Sequence, residues 1–362
     1  MRVIVIGGGL AGLTCAARLA EHRELTVIES RDRLGGQILT ELSDGFVIER
    51  GAEGFVFRSE AVPRLAANQG MPDELIGQSV MRSYGFDGQT LRELAPGEAA
   101  TFLGFQVPKD DLGKGIRSLR RGMGSLIWAL RGNLDGRVRV RTSTAAQRVE
   151  PTDDGARVLL PDGRSLDADA VVVATNARGA AALLTDACGA PAAALDSAPT
   201  LSSVTVELAF ERAAIEHALD GTGFVVALDA QRDGLRACTF TSAKFIDRAP
   251  PRKVSVRLFF RPKAEELQGP DALDDDAWCA RALAGLRRVI PVRGMPLRSW
   301  VSRWPDALPV FNDAHRAAVA ALEATLADTP ILLAGSAFHG SGIDAAVRSG
   351  DQAAQRLLDA SG

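Results

Sequence analysis

Cysteines are few in this sequence, and long apolar runs are absent. The four cysteines are scattered and form no Cys-x-x-Cys pair, which argues against a disulfide framework or a zinc site and fits a reducing cytoplasm. No apolar stretch reaches the roughly 18 residues that a membrane-spanning helix requires, so stable membrane insertion is not expected. The apolar segment at residues 2–6 is too short for the core of a secretory signal. We therefore expect a cytoplasmic protein.

The sequence also lacks an excess of either charge. Lys and Arg total 42 and Asp and Glu total 45, which gives a net charge of −3. This balance argues against a nucleic-acid partner and against a strongly basic membrane-binding surface. Only five of the basic residues are Lys, which we interpret as compositional bias. A small-molecule substrate is the remaining expectation.

Strand and helix patterns alternate at both ends of the chain. Residues 2–28 have the pattern of strand, helix and strand, a unit that implies a parallel sheet, and residues 313–358 have the pattern of helix, strand and helix. The segment between them predicts a mostly antiparallel sheet, with strands at 201–210, 223–228, 235–241 and 253–260 and a helix at 211–219.

These patterns predict an α/β fold with two domains. The ends would form a discontinuous Rossmann-type nucleotide-binding domain, and the middle an inserted α+β substrate domain of mostly antiparallel sheet. The 362 residues, 46% of them apolar, suffice for two cores. The predicted boundaries are 1–58, 116–190 and 296–362 for the nucleotide domain, and 59–115 and 191–295 for the substrate domain.

The first strand leads into a glycine-rich turn with the spacing of a dinucleotide-binding loop. Gly7, Gly9 and Gly12 fit Gly-x-Gly-x-x-Gly. Gly7 permits the tight turn, Gly9 lets the backbone approach the pyrophosphate, and Gly12 lets the helix pack closely on the strand. The pyrophosphate would lie at the helix N-terminus, beside Leu10 and Ala11.

A second motif distinguishes among dinucleotides. Glu29 ends the second strand, 22 positions after Gly7, where a carboxylate can bond a ribose hydroxyl. It opens the stretch ESRDRLGG, in which Arg33 would add a cation near the pyrophosphate and Gly36 would let the backbone pass close to the cofactor. This extension, with FVIERGAEGF at 46–55, resembles the flavin amine oxidases and implies FAD as the cofactor. The resemblance implies further cofactor contacts at Gln37, Gly51, Ala52, Glu53 and Gly54.

The C-terminal stretch ILLAGSAFHGSGIDAAV would complete the cofactor site. It has the pattern of a strand, a glycine-rich loop and a helix. Backbone N–H groups at Gly342 and Ile343 could face the negative charge of a reduced flavin, and Gly335 would lie near the phosphates. Ala146 is also counted among the predicted cofactor contacts. An ordinary strand–turn–helix is the alternative for this stretch taken alone.

Longer stretches narrow the resemblance. SRWPDALPVFNDAHRAAV at 302–319, GTGFVVALDAQRDGL at 221–235 and RRGMGSLIWALRGNL at 120–134 resemble protoporphyrinogen and coproporphyrinogen oxidases. The resemblance extends from Met1 to about Ala354. It implies an FAD-dependent oxidase that removes hydrides from a porphyrinogen, passes the electrons to oxygen and serves porphyrin and heme biosynthesis. A homodimer is left open.

The predicted catalytic residues are Arg82, Lys244 and His339. The resemblance places Arg82 against a substrate propionate, which a guanidinium can bond through both oxygens. It places Lys244 near the flavin N5, with solvent exposure as the alternative. His339 would reach the substrate or belong to the loop only. Trp304 would cover the flavin or pack in the core.

Several features depart from the pattern of the porphyrinogen oxidases. His315 matches the Gly-His of those enzymes only in part, and we expect it on a helix surface. The long helical segment that docks such enzymes to membranes and covers their substrate is reduced to residues 98–119. This favours a second hypothesis, a flavin amine oxidase or desaturase acting on a smaller metabolite. A third is an FAD-binding regulatory protein without turnover. No metal site is predicted, because the flavin would carry the chemistry.

Overall fold

The computed structural model describes residues 1–102 and 114–360, without the side chains of residues 100 and 101. Half of the shortened segment 98–119, residues 103–113, therefore lies outside the described residues. The strands are Arg2–Ile6 (β1), Glu24–Ile28 (β2), Thr40–Ser43 (β3), Phe46–Glu49 (β4), Phe55–Val56 (β5), Leu75–Gly77 (β6), Tyr84–Phe86 (β7), Leu91–Glu93 (β8), Ile116–Leu119 (β9), Arg139–Arg141 (β10), Arg148–Thr152 (β11), Gly155–Leu159 (β12), Ser165–Ala168 (β13), Ala170–Val173 (β14), Thr200–Glu211 (β15), Gly223–Val226 (β16), Leu235–Thr239 (β17), Lys253–Phe260 (β18), Arg298–Pro309 (β19) and Ile331–Leu333 (β20).

Ten helices are distributed along the described part of the chain. They are Leu10–Leu19 (α1), Ala61–Asn68 (α2), Glu98–Phe102 (α3), Gly124–Leu134 (α4), Ala177–Cys188 (α5), Ala190–Asp196 (α6), Thr241–Lys244 (α7), Asp275–Val289 (α8), Asp313–Leu326 (α9) and Ile343–Asp359 (α10). Among the described residues, none of these helices has the length and apolar character needed to cross a membrane.

A parallel sheet of five strands forms the nucleotide-binding part, in the order β10–β2–β1–β14–β20. One face packs against α1, α4 and α10, and the other against α5, α6 and α9. Coverage of both faces explains why β14, with the sequence AVVV, is buried at every position. The loops at the carboxyl ends of β1, β14 and β20 therefore lie side by side.

A second sheet has seven strands in the order β19–β15–β18–β17–β16–β7–β8, and is antiparallel except where β16 pairs with β7. Helix α8 packs on one face, against alternate residues of β15 such as Val206 and Leu208. The two sheets confirm the predicted fold class. Strand β19, which the sequence analysis does not predict, pairs with β15 along its length. The predicted boundary at residue 296 would separate these two partners, and the domain limits stay a prediction.

The predicted helix at 211–219 is wrong. The structure has a short 3₁₀ turn at Arg212–Ala214, and Ile215 then forms an isolated bridge with Val292. The Arg212 guanidinium donates to the carbonyl oxygens of Ile215, at 2.6 Å, and His217, at 2.9 Å. These carbonyls are thus bonded to a side chain instead of to helical N–H groups, although the sequence of the segment has a helical pattern.

Candidate functional site

The N-terminus of α1 has room for a phosphate beside the backbone. Gly7 has a φ of +112°, and a Cβ there would lie 2.4 Å from the Ala174 carbonyl oxygen. A Cβ at Gly12 would lie 2.0 Å from the Gly7 carbonyl oxygen, so this glycine serves helix–strand packing. At Gly9, the nearest atom to such a Cβ is the Gly36 Cα, 3.8 Å away. Packing of the protein therefore does not require glycine at position 9. The first N–H groups of α1, at Leu10 and beyond, have no hydrogen-bond partner within the helix and can donate to a phosphate.

Glu29 lies at the end of β2, directly beside this turn. Its carboxylate is buried and accepts hydrogen bonds from the backbone N–H groups of Gly8, at 2.8 Å, and Arg31, at 2.9 Å. These bonds fix the carboxylate against the glycine turn. Oε1 also accepts from the Ser30 hydroxyl at 3.3 Å, whereas Oε2 retains a lone pair and can accept a hydrogen bond from a ribose hydroxyl.

The glycine pair that follows closes over the same turn. The Gly35 N–H donates to the Gly8 carbonyl oxygen at 2.7 Å, and a Cβ at Gly36 would lie 3.0 Å from the Gly9 Cα. Arg33 donates to the Gly36 carbonyl oxygen at 3.0 Å, and its partial burial lowers the pKa of the guanidinium. The two glycine motifs, in which Gly8 and Gly35 are 27 positions apart in sequence, thus form one backbone surface.

The loop after β4 joins this surface to the seven-stranded sheet. The Ala52 N–H donates to the Gln37 carbonyl oxygen at 3.2 Å, and a Cβ at Gly51 would lie 1.8 Å from that oxygen. The Trp304 indole N–H donates to the Arg50 carbonyl oxygen at 2.8 Å. The predicted contacts Gln37, Gly51, Ala52 and Trp304 are therefore brought together. Gly54 packs on the Arg117 carbonyl, where a Cβ would lie at 2.5 Å.

The C-terminal loop reaches the same region through α10. The Gly335 N–H donates to the Ser349 hydroxyl oxygen at 2.9 Å. Gly342 has a φ of +94° at the start of α10, ahead of Ile343. At Gly350, a Cβ would lie 2.2 Å from the Ala11 carbonyl oxygen, so α10 packs closely on α1. Ala146 is partly buried and packs against the opposite face of the parallel sheet.

The two histidines near this loop differ from each other in environment. His339 is exposed, and its Nε2 lies 2.7 Å from a carboxylate oxygen of Glu323 on α9. His315 is completely buried, so the expectation of a helix-surface position is wrong. Its Nε2 lies 2.9 Å from the Ala337 carbonyl oxygen and its ring packs edge-on against Phe311. His315 therefore ties α9 to the loop that precedes α10.

Lys244 is the predicted catalytic residue that the structure places in the interior. It is 4% exposed, which excludes the solvent-exposed alternative, and its ammonium group forms an ion pair with Glu53. Burial alone would raise the pKa of Glu53, but the charges of Lys244 and Arg257 outweigh it, and the pKa is lowered. The loop predicted to face the flavin therefore carries a buried carboxylate–ammonium pair.

Arg82 lies at the edge of the seven-stranded sheet, just before β7. Its guanidinium is about half exposed and is paired with Asp220 at 2.5 Å and Glu93 at 3.2 Å. Hydrogen bonding with Tyr84, together with these two carboxylates, raises the pKa of Arg82. No hydrogen bond or ion pair described in the structure joins Arg82 to Lys244. The Ser79 N–H does, however, donate to the Lys244 carbonyl oxygen at 2.8 Å, so the segment that carries Arg82 packs beside α7.

The sequence analysis missed the buried charged residues around Lys244. Glu207, Arg248 and Arg257 are each no more than 2% exposed. The signal that could have found two of them is a charged residue inside an apolar strand, as in SVTVELAF and KVSVRLFF. A charge in a central strand is costly to bury and marks a paired or functional position. Among the described residues, no group of three or more His, Cys, Asp or Glu side chains is arranged to hold a metal ion.

The residues present fit a flavin dinucleotide. Space for a pyrophosphate beside Gly9, a fixed carboxylate at Glu29 and glycines held in positive φ at the start of α10 meet at the carboxyl ends of the parallel strands. A buried ion pair lies on the side of the second sheet. This combination of a dinucleotide-binding sheet and a second, mostly antiparallel sheet defines a flavin-dependent oxidoreductase.

Comparison with known families agrees with this class. The family described as flavin containing amine oxidoreductase matches residues 98–358, and the NAD(P)-binding Rossmann-like domain matches residues 5–67. The chain therefore belongs to the flavin-containing amine oxidoreductase family.

Relatives in sequence match almost the whole chain. The coproporphyrinogen III oxidase of Bacillus subtilis (strain 168) is 24% identical over 98% of this chain and 97% of its own length. That of Propionibacterium freudenreichii subsp. freudenreichii is 25% identical over 99% of this chain and 91% of its own length. The predicted resemblance to porphyrinogen oxidases is thus confirmed. The first alignment covers 466 positions, more than the 362 residues here, so this chain lacks segments that the relative has.

Solved structures share the fold. A protein from Exiguobacterium sp. 255-15, provisionally described as a protoporphyrinogen oxidase, superposes with a TM-score of 0.83 at 21% identity, over 99% of both chains. A putrescine oxidase bound to putrescine superposes with a TM-score of 0.71 at 15% identity, again over 99% of both chains. At these identities the likeness establishes the fold alone.

Proposed function

We propose that this protein is an FAD-dependent oxidase of the porphyrinogen-oxidase type. The observation that carries the proposal is the buried Lys244–Glu53 pair, because it lies on the loop Gly51–Gly54, which joins the dinucleotide-binding surface to the second sheet. Sequence similarity to coproporphyrinogen III oxidases over 98% of the chain supports a porphyrinogen as the substrate.

In this proposal, the residues that hold FAD are those of the three glycine segments. Gly9 and the N-terminus of α1 bind the pyrophosphate, Glu29 binds the adenosine ribose, and the backbone of Gly342 and Ile343 faces the flavin. When bound, the flavin supplies a hydride acceptor, and oxygen regenerates it. The proposal extends to a homodimer as the assembly.

The chain's own groups would orient the substrate and balance its charge. The Lys244 ammonium is held by Glu53 in a buried environment, where its contacts are stronger than in water. A porphyrinogen carries propionate groups, which need cationic partners wherever they leave water. Arg82 stands at the sheet edge near α7 and is the predicted partner, although a propionate would have to share it with Asp220 and Glu93.

A second candidate function is oxidation of a smaller amine. The observation in its favour is the short segment 98–119, since relatives that act on coproporphyrinogen have additional residues. A smaller substrate needs less protein to enclose it. Similarity to a putrescine oxidase adds only the fold.

Anaerobic bleaching of the bound flavin distinguishes these candidates. Coproporphyrinogen III or protoporphyrinogen IX is expected to bleach the FAD absorbance within seconds to minutes, whereas a panel of mono- and diamines leaves it unchanged. FAD is identified by its release on denaturation. Bleaching by an amine and by neither porphyrinogen would establish the second function, and protein that cannot be reconstituted with FAD would overturn both.

Arg82→Ala is expected to raise the KM for the porphyrinogen about tenfold, the lower end of what the loss of a charged carboxylate contact produces, because the group is half exposed. FAD content should not change, since Arg82 lies outside the nucleotide motifs. The measurement is steady-state kinetics with coproporphyrinogen III.

Arg92→Ala provides a matched control for Arg82. Arg92 lies on the adjacent strand β8, is equally exposed and is paired with Glu98. Its removal is expected to leave KM unchanged, and Arg82→Lys is expected to restore part of the lost affinity. The same KM in wild type and Arg82→Ala would remove Arg82 from the substrate site.

A further inference from the structure

Buried polar groups cover the face of the seven-stranded sheet that is turned away from α8. Val206 and Leu208 of β15 pack toward the helix, so Glu207 points to the opposite face. Arg257 of β18 is its partner in register. Both are 2% exposed. This face is the one against which the loop Gly51–Gly54 packs.

Glu207 is a buried carboxyl group whose oxygens complete no hydrogen bond of good geometry. The hydroxyls of Ser255 and Thr241 lie close enough to favour its ionised form, but burial outweighs them. A buried carboxylate in this condition is strongly disfavoured relative to the protonated acid. Burial raises the pKa of Glu207 to about 7, even though the charge of Arg257 favours the ionised form.

The groups that face Glu207 come from several elements. Charge is contributed by Arg257 on β18 and by Glu53 in the loop after β4, and Glu53 is in turn paired with Lys244 on α7. The neutral groups around Glu207 are Ser255 on β18, Thr241 on α7, Trp300 on β19 and Cys238 on β17. Cys238 is neutral because burial raises the pKa of its thiol well above the usual value. Arg248 is the remaining cation nearby and is paired with Glu49.

Arg257 connects Glu207 to the predicted flavin loop. One guanidinium nitrogen donates to the Gly51 carbonyl oxygen at 2.6 Å, and the other terminal nitrogen lies 4.0 Å from Glu53. The charge state of Glu207 therefore acts on the same guanidinium that holds this loop.

We propose that Glu207 is a positioning residue that sets the net charge beside the flavin. When Glu207 is protonated, Arg257 and Lys244 are opposed by Glu53 alone, and the cluster has a net positive charge. When Glu207 is ionised, the cluster is neutral, and Arg257 is divided between two carboxylates. The inference rests on the proposed function, because the placement of the flavin beside Gly51–Gly54 belongs to it.

A net positive charge beside a flavin stabilises the form that carries the added electrons. Protonation of Glu207 then favours reduction of the flavin by a certain factor. By thermodynamic linkage, reduction must increase the affinity of Glu207 for a proton by the same factor. The midpoint potential of the flavin should consequently fall more steeply with pH when Glu207 can titrate than when it cannot.

The experiment is a redox titration of the FAD-loaded protein between about pH 6 and pH 9, with wild type, Glu207→Gln and Glu207→Met. At the acid end the three proteins should share one potential. At the alkaline end both variants should favour the reduced flavin at least tenfold more than wild type, which is about 30 mV for a two-electron couple. Glu207→Met also removes the titratable carboxyl group but adds no amide. The test can therefore be made with either variant if the other one does not fold.

Glu266→Gln is the matched control. Glu266 is a half-buried carboxylate paired with Arg281 of α8, on the opposite face of the same sheet. Its substitution makes the same change in charge. The plot of the flavin midpoint potential against pH should run parallel to the wild-type plot over the whole pH range. A merely structural role for Glu207 would lower the melting temperature and give the same parallel behaviour, which would overturn the inference. Protein that takes up no flavin would instead overturn the proposed function, and this inference with it.

Discussion

Gly9→Ala is expected to abolish stable flavin retention while the protein keeps its fold. A Cβ at position 9 would meet no protein atom closer than 3.8 Å, and the backbone there is extended in φ and ψ, a conformation that alanine adopts freely. Packing of the protein therefore does not require glycine at this position, whereas the proposed FAD site does. The added methyl group would lie where the pyrophosphate must approach the helix N-terminus.

The dissociation constant for FAD is expected to rise by at least a hundredfold, or about 2.7 kcal/mol. It is measured by fluorescence quenching as the apoprotein is titrated with FAD, with circular dichroism and thermal unfolding as the test of the fold. The melting temperature of the apoprotein should fall by only a few degrees, since replacing glycine by alanine at an N-cap costs on the order of 1 kcal/mol.

Gly12→Ala is the contrasting substitution in the same turn. A Cβ there would lie 2.0 Å from the Gly7 carbonyl oxygen and 3.1 Å from a Val5 methyl group, so the helix must move away from the strand. This variant should lose stability and FAD together. Normal FAD affinity in Gly9→Ala would show that the pyrophosphate does not lie at this turn.

The glycine segments could be found in the sequence because their requirements are local. A tight turn, a close approach and a helix start each constrain residues within a few positions, as the φ of +112° at Gly7 illustrates. The buried charges could not be found in this way. Glu207 and Arg257 are 50 residues apart in sequence and meet only through the register of β15 with β18. Strand β19 was not predicted because its sequence, RSWVSRWPDALP, lacks a regular alternation of apolar and polar residues and contains two prolines.

Position in the fold also decided the environment of His315. The asparagine-capped helix α9 was predicted, but whether its histidine faces solvent or the loop before α10 depends on how that helix packs on the parallel sheet. Helical periodicity places His315 on the same face as Ala318, Val319 and Leu322, which are buried. The apolar face could thus have predicted burial, while the bond to the Ala337 carbonyl could not be predicted.

Arg248→Met is expected to destabilise the protein by about 3–5 kcal/mol, the cost of leaving a buried charge without its partner. Arg248 is 1% exposed, and its guanidinium donates to the Ser118 hydroxyl at 2.7 Å and the Leu119 carbonyl oxygen at 2.9 Å. It also lies 3.9 Å from the carboxylate of Glu49. The side chain therefore joins the loop after α7 to β4 and β9, so its loss should weaken the contact between the second sheet and the flavin loop.

The pH dependence of this loss identifies its cause. Burial raises the pKa of Glu49, and the charge of Arg248 opposes that rise. Without Arg248, the pKa of Glu49 in the folded protein should rise further above its value in the unfolded chain. A carboxyl group whose pKa is raised by folding does not destabilise the folded protein at a pH where it is protonated in both the folded and the unfolded state. Stability is lost as the pH rises from the pKa of the unfolded chain through the pKa of the folded protein. The deficit of Arg248→Met should therefore be smaller near pH 5 than near pH 8.

Urea unfolding of the apoprotein at both pH values measures this difference. The double variant Glu49→Gln/Arg248→Met should regain part of the lost stability at pH 8 and little at pH 5, because the neutral amide has no charge to strand. The amide oxygen can still accept from the Met123 N–H, which donates to Oε1 of Glu49 at 2.6 Å, while the amide NH2 takes the place of Oε2 and donates to the Thr40 hydroxyl oxygen, which lies 2.7 Å from Oε2. A deficit that is equal at the two pH values, with no recovery in the double variant, would mean that Arg248 stabilises the protein through packing and its carbonyl contacts, and that its charge is not what Glu49 requires.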